Sequence, residues 1–359
     1  MSTHARAGVA RPFHRRGMLI GGSALLLGAM MPVSSAVAAP YQVQRYGGAN
    51  RYAVAAATTA DKQNWDGGID VAYIASGELW SDGLTAGPAA QADPDLSGVL
   101  LLTQKNSLPK ETASALTKLS PRTIVVVGGT ATISAGVEQQ LRKYASSKVV
   151  RVAGKDRYEV SANLSKHANP RPTGDTVYLA GGTVFADALS GTGAAATMQR
   201  SVLLTAPATL PPSVAAELKR LKPKRVVVLG GPSTVSDKVL GQVRQIARAD
   251  RIGGKDRYEV SAALIHDIDR DMKVSSGGDS LIRNTVIVNG TNFPDALSAT
   301  NITAGGVLLT QPNSLPAPAV KLLNELPVDS VKIVGGPSSV SVAVEKRVEG
   351  LIDKWDLWG

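Results

Sequence analysis

The stretch RVAGKDRY at residues 151–158 recurs twice elsewhere in the chain and divides the rest of the sequence. It returns as RYGGANRY at residues 45–52 and as RIGGKDRY at residues 251–258, so successive copies begin 106 and 100 residues apart. That period is roughly one small domain, and self-similarity at a fixed period is typical of a repeat architecture. We therefore predict three copies of one structural unit.

Three further motifs follow each copy in the same order. The first is Gly-x-x-aromatic-x-Asp-small-Leu, the second is an apolar run that ends in Thr before a Leu-Pro pair, and the third is an apolar run that ends in Gly-Gly. The aromatic and acidic members of the first motif are Trp80 and Asp82, Phe185 and Asp187, and Phe293 and Asp295. The other motifs place Thr at 103, 205 and 310, Leu-Pro at 108–109, 210–211 and 315–316, and Gly-Gly at 128–129, 230–231 and 335–336. Four ordered motifs in triplicate exclude a chance resemblance.

Each copy alternates short apolar runs with segments of helical spacing. In the first copy the runs 71–75, 99–103 and 123–127 are branched-rich and continuously apolar, as expected of strands buried on both faces. The helical segments between and after them are 85–92, 110–119 and 134–144, and a fourth strand near 149–152 opens the next copy. This alternation predicts an α/β fold of three tandem Rossmann-like three-layer αβα modules with parallel sheets. The predicted modules span residues 45–150, 151–250 and 251–350.

Acidic residues predict where the helices begin. Asp156 with Glu159, and Asp256 with Glu259, fit a capping box, and Asn50 is the corresponding cap in the first copy. The aspartates of the Gly-x-x-aromatic-x-Asp motif are placed to cap the helix after the first strand. The third copy is longer, and we assign its extra residues to a polar loop around 273–279.

Residues 1–39 have the features of an export signal. Arg15 and Arg16 precede an apolar stretch over 18–31, which leads to the small residues of 36–38. This stretch of fourteen residues is too short to cross a bilayer, which takes about 20 residues. The paired arginines favour a twin-arginine signal over an ordinary Sec signal, and both remain open. No second apolar span follows, and residues 351–359 form a short tail, so we expect an exported protein without a membrane anchor in its mature form.

Composition narrows the possible functions. With the four arginines of residues 1–39 set apart, the chain has 35 basic and 29 acidic residues, which is a mild bias toward anionic partners. It lacks the clusters of basic and aromatic residues that are typical of a nucleic-acid-binding protein.

The absence of cysteine excludes disulfides and thiolate chemistry. Of the four histidines, His167 and His266 occupy non-equivalent positions in their copies, so we predict no triad, no metal site and no cofactor. A glycosidase with paired carboxylates stays open, but we predict a protein without catalytic residues.

The four motifs, in this order and spacing over about 45–350, resemble the bacterial cell-wall-binding repeat 2 family. The first copy departs slightly, with Trp80 where the family has Phe and Gly83 where it has Ala. The resemblance implies a pseudo-threefold body of three modules that attaches proteins to the cell wall by binding anionic wall polymers, teichoic-acid-like or secondary wall polysaccharides. It also implies an exported protein of the cell wall or extracellular space.

Arginine follows the helix cap in every copy. A cation there opposes the helix macrodipole by about 0.3–1 kcal/mol, so its recurrence indicates a compensating partner. The partner is either the motif aspartate, in an internal ion pair, or a phosphate or carboxylate of a bound polymer, which suits the planar guanidinium. Loops after parallel strands gather at one sheet edge beside helix N-termini, which brings arginines and aspartates together. The candidate ligand-binding residues are Arg51, Arg157, Arg257, Asp82, Asp187 and Asp295.

The remaining repeated residues are better explained by structure. Arg45, Arg151 and Arg251 end a strand, the Gly-Gly pairs suit a tight turn with positive φ, and the tyrosines at 52, 158 and 258 suit core packing. Two other functions compete with wall binding: a secreted α/β protein that binds a small molecule or nucleotide, and a structural surface-layer subunit.

Overall fold

The computed structural model describes residues 42–60, 69–92, 98–169, 171, 175–280, 282–303 and 305–353. The predicted export signal and residues 354–359 lie outside this part of the chain.

Strands and helices alternate through each repeat. The first repeat contains β1 (Gln42–Tyr46), α1 (Arg51–Ala57), β2 (Val71–Ser76), α2 (Trp80–Ala92), β3 (Val99–Thr103), α3 (Lys110–Leu119), β4 (Thr123–Val127) and α4 (Ala135–Leu141). The second contains β5 (Lys148–Val152), α5 (Arg157–Ala168), β6 (Thr176–Gly181), α6 (Phe185–Thr197), β7 (Val202–Thr205), α7 (Pro212–Leu221), β8 (Arg225–Leu229) and α8 (Asp237–Arg244). The third contains β9 (Ala249–Ile252), α9 (Arg257–Ser276), β10 (Asn284–Asn289), α10 (Phe293–Ala299), β11 (Val307–Thr310), α11 (Ala317–Glu325), β12 (Ser330–Val334) and α12 (Val342–Ile352).

These strands form three parallel four-stranded sheets. Their orders are β3-β2-β4-β5, β7-β6-β8-β9 and β11-β10-β12-β1. In each sheet the next two strands along the chain lie on opposite sides of β2, β6 or β10, so every sheet has a topological switch point. The predicted fold class of three αβα modules with parallel sheets is confirmed.

The sheets are out of phase with the sequence repeats. The first strand of the second repeat, β5, completes the sheet of the first repeat, and β9 completes the sheet of the second. The corresponding strand of the first repeat, β1, pairs with β12 at the other end of the chain, with Tyr46 opposite Val334. This last pairing closes the three modules into a ring.

The core follows from the apolar runs. Strands β2, β3 and β4 are buried at every position because helices cover both faces of the sheet. Helices α2, α6 and α10 pack on one another where the modules meet. Glycines of α2 allow its close approach to α10: a Cβ at Gly83 would lie 2.4 Å from Leu297 Cδ1, and one at Gly87 would lie 2.5 Å from Thr300 Oγ1.

Side chains also join the modules by hydrogen bonds to the backbone of a neighbouring repeat. Asn301, at the end of α10, accepts a hydrogen bond from the Leu100 amide at 2.7 Å and donates one to the Leu100 carbonyl at 2.9 Å. Thr192 of α6 donates to the Leu84 carbonyl at 2.9 Å. Buried backbone groups at the module junctions are therefore satisfied by side chains of the neighbouring repeat.

One predicted loop is wrong. The segment 273–279, assigned to a polar loop, continues as helix to Ser276, and Gly277 ends it in a left-handed conformation at φ 86°. Helix α9 therefore has 20 residues where α5 has 12. Polar contacts hold the added turns: Lys273 pairs with the buried Asp269 at 2.8 Å, and Asp271 pairs with Arg200 of the second repeat at 3.0 Å.

Candidate functional site

We call the segments around the repeated Arg-Tyr pairs at 51–52, 157–158 and 257–258 the Arg-Tyr turns. They lie at the junctions between modules, because each one follows a strand of one sheet and begins the helix that covers the next sheet. The predicted caps are confirmed: Asp156 Oδ1 accepts hydrogen bonds from the amides of Tyr158 and Glu159, both at 2.9 Å. Glu159 Oε2 accepts from the Lys155 amide at 3.0 Å, which completes the capping box. Asn50 and Asp256 cap their helices in the same way.

The arginine of each turn reaches into two modules. Arg157 Nη1 donates to the Gly182 carbonyl of its own repeat at 2.6 Å, and its guanidinium lies 5.2 Å from the ring centre of Trp80 in the preceding repeat. Arg257 donates to the Gly290 carbonyl at 2.5 Å and lies 5.6 Å from Phe185. Each guanidinium is thus held by a carbonyl on one side and an aromatic face on the other.

Arg51 makes the same contacts across the closure of the ring. It donates to the Gly77 carbonyl, and its guanidinium lies 5.8 Å from the ring centre of Phe293 in the third repeat. The pattern is therefore cyclic: every arginine contacts the glycine carbonyl of its own repeat and the aromatic ring of the repeat before it.

The three aromatic side chains form one cluster where α2, α6 and α10 begin. The ring centres of Trp80 and Phe185 are 6.3 Å apart, and those of Phe185 and Phe293 are 6.2 Å apart. All three rings are half-buried. We call these rings, with the guanidiniums of Arg51, Arg157 and Arg257, the central arginine–aromatic cluster.

The motif aspartates lie beneath this cluster, at the switch point of each sheet. Each one is the third residue of its helix, so the predicted capping role is wrong: the residues before α6 and α10 are Val184 and Asn292, and neither caps the helix with its side chain. Asp82 is 6% exposed and Asp295 is 5% exposed. Each carboxylate packs instead against the first glycine of the Gly-Gly turn of its own module.

Burial dominates the electrostatics of these carboxylates. It raises the pKa of Asp82 to about 6, against smaller lowering effects from the Ser81 hydroxyl and the charge of Arg157. It also raises the pKa of Asp187 and of Asp295, where hydroxyl groups and the arginine of the next repeat again oppose the effect. The hydroxyl donors are Thr234 for Asp187 at 3.3 Å and Ser339 for Asp295 at 2.5 Å.

The arginines and aspartates predicted as ligand-binding residues are thus brought together, but not as contact ion pairs. Within the described residues, none of Arg51, Arg157 and Arg257 has a carboxylate oxygen within 4 Å. The sequence indicated that each arginine has a compensating partner. In the structure a glycine carbonyl and an aromatic face contact each guanidinium. The sequence shows the repeated aromatic residue but does not predict its contact with an arginine. Its constant position, three residues after the repeated glycine, was the pattern that indicated a shared role.

The Gly-Gly turns and the strand-end arginines have structural roles, as predicted. Gly128, Gly230 and Gly335 have φ of 100°, 86° and 118°, which favours glycine. Their carbonyls accept hydrogen bonds at 2.8 Å from the strand-end arginines Arg151, Arg251 and Arg45. The same arginines pair with Glu138, Asp237 and Glu345.

The tyrosines of the Arg-Tyr turns pack as predicted. Tyr52 is 8% exposed, and Tyr158 and Tyr258 are half-buried. A Cβ at Gly182 would lie 2.5 Å from Tyr158 Cε1, so the glycine that offers its carbonyl to the arginine also makes room for the tyrosine ring.

Metal binding and membrane spanning each need a recognisable arrangement of residues. In the part of the chain that the structure describes, no three His, Asp or Glu side chains are placed to hold a metal ion. None of the helices seen there has the length and apolar character needed to cross a membrane.

Known proteins are similar to this chain in sequence. The chain is 30% identical to the amidase enhancer of Bacillus subtilis (strain 168), over 85% of this chain and 40% of that protein. It is 27% identical to N-acetylmuramoyl-L-alanine amidase LytC of the same organism, over 90% of this chain and 61% of that protein. The chain therefore spans only part of the length of these relatives.

Solved structures have the same fold. Cwp6 from Clostridium difficile superposes with a TM-score of 0.77 at 23% identity, over 87% of this chain and 48% of that one. Cwp8 from Clostridium difficile superposes with a TM-score of 0.73 at 24% identity, over 87% of this chain and 52% of that one.

The family model for Cell wall binding domain 2 matches residues 45–138, 151–240 and 251–345, which include every motif of the three repeats. The chain belongs to the Cell wall binding domain 2 (CWB2) family.

Proposed function

We propose that this protein is exported and attaches non-covalently to an anionic polymer of the bacterial cell wall, without catalysing a reaction. The polymer class is a teichoic-acid-like polymer or a secondary wall polysaccharide, both of which carry repeated negative charges. The observation that carries the proposal is that glycine carbonyls hold the guanidiniums of Arg51, Arg157 and Arg257, while no carboxylate of the described residues contacts them.

The geometry supports this role for the arginines. Nη1 of each guanidinium is committed to a glycine carbonyl, which orients the planar group and leaves its other N–H donors for a phosphate or carboxylate. Arg157 is exposed, and Arg51 and Arg257 are half-buried, so a ligand can reach them.

The aspartates act as positioning residues in this proposal. Asp82 and Asp295 are buried against glycine turns and cannot touch a polymer outside the protein. Each one packs against the Gly-Gly turn of its own module and places a carboxyl group near the guanidinium of the next repeat.

Co-sedimentation of residues 40–359 with purified Gram-positive walls tests the proposal. We expect binding to intact walls, loss of binding after acid extraction of the anionic polymers, and weaker binding as salt rises. The triple variant Arg51→Lys, Arg157→Lys and Arg257→Lys keeps the net charge but loses the guanidinium fork, and we expect it to sediment far less than the wild type.

A matched control separates the site from overall charge. Lys118, Lys219 and Lys321 are exposed on the outer helices of the three modules. Changing all three to Gln removes three positive charges elsewhere, and we expect wall binding to persist. Equal binding by the triple arginine variant and the wild type, with both folded, would reject the proposed site.

A further inference from the structure

The three arginines come from three separate junctions, yet they meet on one aromatic cluster. Each ring of the cluster carries one guanidinium at 5.2–5.8 Å, and contacts of 6.2 and 6.3 Å join the rings in series. The three arginines, one from each repeat, are therefore parts of one continuous surface.

This surface concentrates positive charge. Three guanidiniums share it, and in the described residues no carboxylate lies within contact distance of any of them. Asp82 and Asp295 are buried, and burial raises their pKa values and disfavours the charged carboxylate. The charges of Arg157 and Arg51 lower these pKa values by a smaller effect. The three guanidiniums repel one another because they carry the same charge. Binding of an anion among them is therefore electrostatically favourable.

The surface also has an apolar part beside the cations. Leu79 is 51% exposed and Val184 is 46% exposed, and they directly precede Trp80 and Phe185 of the cluster. Two of the four large apolar side chains that are exposed in the described chain thus lie at this site. A ligand that matches it must offer negative charge together with an apolar face, as a sugar ring bearing phosphate or carboxylate groups does.

We propose that the central arginine–aromatic cluster, with Leu79 and Val184, is one composite site that binds a single segment of an anionic glycan per protein molecule. This inference rests on the proposed wall binding and specifies how it occurs. All three arginines contact the same segment, and the sugar face packs against the exposed Leu79 and Val184.

A composite site and three independent sites differ in how the arginine variants combine. In a composite site, replacing one arginine displaces the segment from the others, so a single Arg→Lys variant loses most of the affinity, at least about tenfold, and the second and third replacements add little. In three independent sites on one long polymer, each replacement removes one attachment and the fold losses multiply.

The experiment measures wall binding of single, double and triple Arg→Lys variants, and competition by size-fractionated fragments released from the same walls by mild acid. We expect saturating losses and full inhibition by the shortest fragments. Multiplying losses, or inhibition only by long fragments, overturns the composite site but leaves wall binding intact. Failure of the wild type to bind walls rejects the proposed function and this inference with it.

The apolar part has its own control. Leu79→Ser and Val184→Ser should each weaken binding of the short fragments several-fold. Val342→Ser changes a similarly exposed apolar side chain (48% exposed) on the last helix, and it should leave binding unchanged. Equal binding by all three variants would contradict a glycan face at the cluster.

Discussion

Arg45 donates a hydrogen bond to the Gly335 carbonyl at 2.8 Å, across 290 residues of chain. The same guanidinium donates to the Val340 carbonyl at 2.9 Å and pairs with Glu345 at 2.8 Å. In the other two repeats the equivalent arginine contacts a turn only 21–23 residues away in sequence. Arg45 therefore joins the two ends of the described chain, and the first predictions concern that closure.

Arg45→Met should destabilise the protein by about 2 kcal/mol, because it leaves two carbonyls and a largely buried carboxylate without their donor. Chemical denaturation measures the loss. Arg45→Met combined with Glu345→Met should lose less than the sum of the single variants, since the pair interacts directly. Lys346→Met, at an exposed position of the same helix, is the control, and an equal loss there would contradict the closing role of Arg45.

Removal of β1 should open the third sheet alone. A chain that begins at residue 47 leaves the edge of β12 unpaired, whereas β2 and β4 keep all their neighbours. Hydrogen exchange should show lost protection at 330–334 and retained protection at 123–127. A synthetic peptide of residues 42–48 should restore protection, and a chain that begins at residue 40 is the control. Unchanged protection at 330–334 in the truncated chain would show that β1 adds nothing to the sheet.

Asp82 should make stability depend on pH. Burial raises its pKa from 3.8 in the unfolded chain to about 6, so the folded state holds the proton more tightly. The associated stability is complete below pH 4 and is lost as the pH rises through 6. Relative to wild type, Asp82→Asn should therefore gain up to about 3 kcal/mol between pH 4 and pH 7.5.

Denaturation of both proteins across this pH range measures the difference. Asp279→Asn, at an exposed position, is the control and should track the wild type at every pH. If Asp82→Asn also tracks the wild type, the buried carboxyl is not the titrating group.

The two glycines of one turn should differ sharply in their tolerance of a side chain. Gly128 has a φ of 100°, and a Cβ there would lie 2.3 Å from Asp82 Oδ2, whereas a Cβ at Gly129 would meet nothing within 4 Å. Gly128→Ala should cost at least about 2 kcal/mol of unfolding free energy, and Gly129→Ala should change it by less than about 0.5 kcal/mol. Thermal unfolding of the two variants compares them directly, and similar midpoints would refute the packing of Asp82 against this turn.

The local elements could be read from the sequence because their signals are local. The predicted strands at 99–103 and 123–127 match β3 and β4 at both ends, since each is an apolar run bounded by glycine on one side and a polar residue on the other. The capping residues Asp156 and Asp256 were equally clear, because a cap depends only on the amides two and three residues away. Asp82 was misplaced as a cap because α2 begins at Trp80, five residues before the predicted segment 85–92, and this start depends on packing against the other modules.

The sequence by itself determined that one α/β unit occurs three times and which residues recur at its strand ends. Only the tertiary structure decided that β1 belongs to the last sheet and that each arginine lies on the aromatic ring of the preceding repeat. Identical repeats give the same local pattern whether a strand pairs within its own repeat or with a neighbour. The choice rests on contacts between distant residues, such as Tyr46 with Val334 and Arg51 with Phe293, which no periodicity along the chain records.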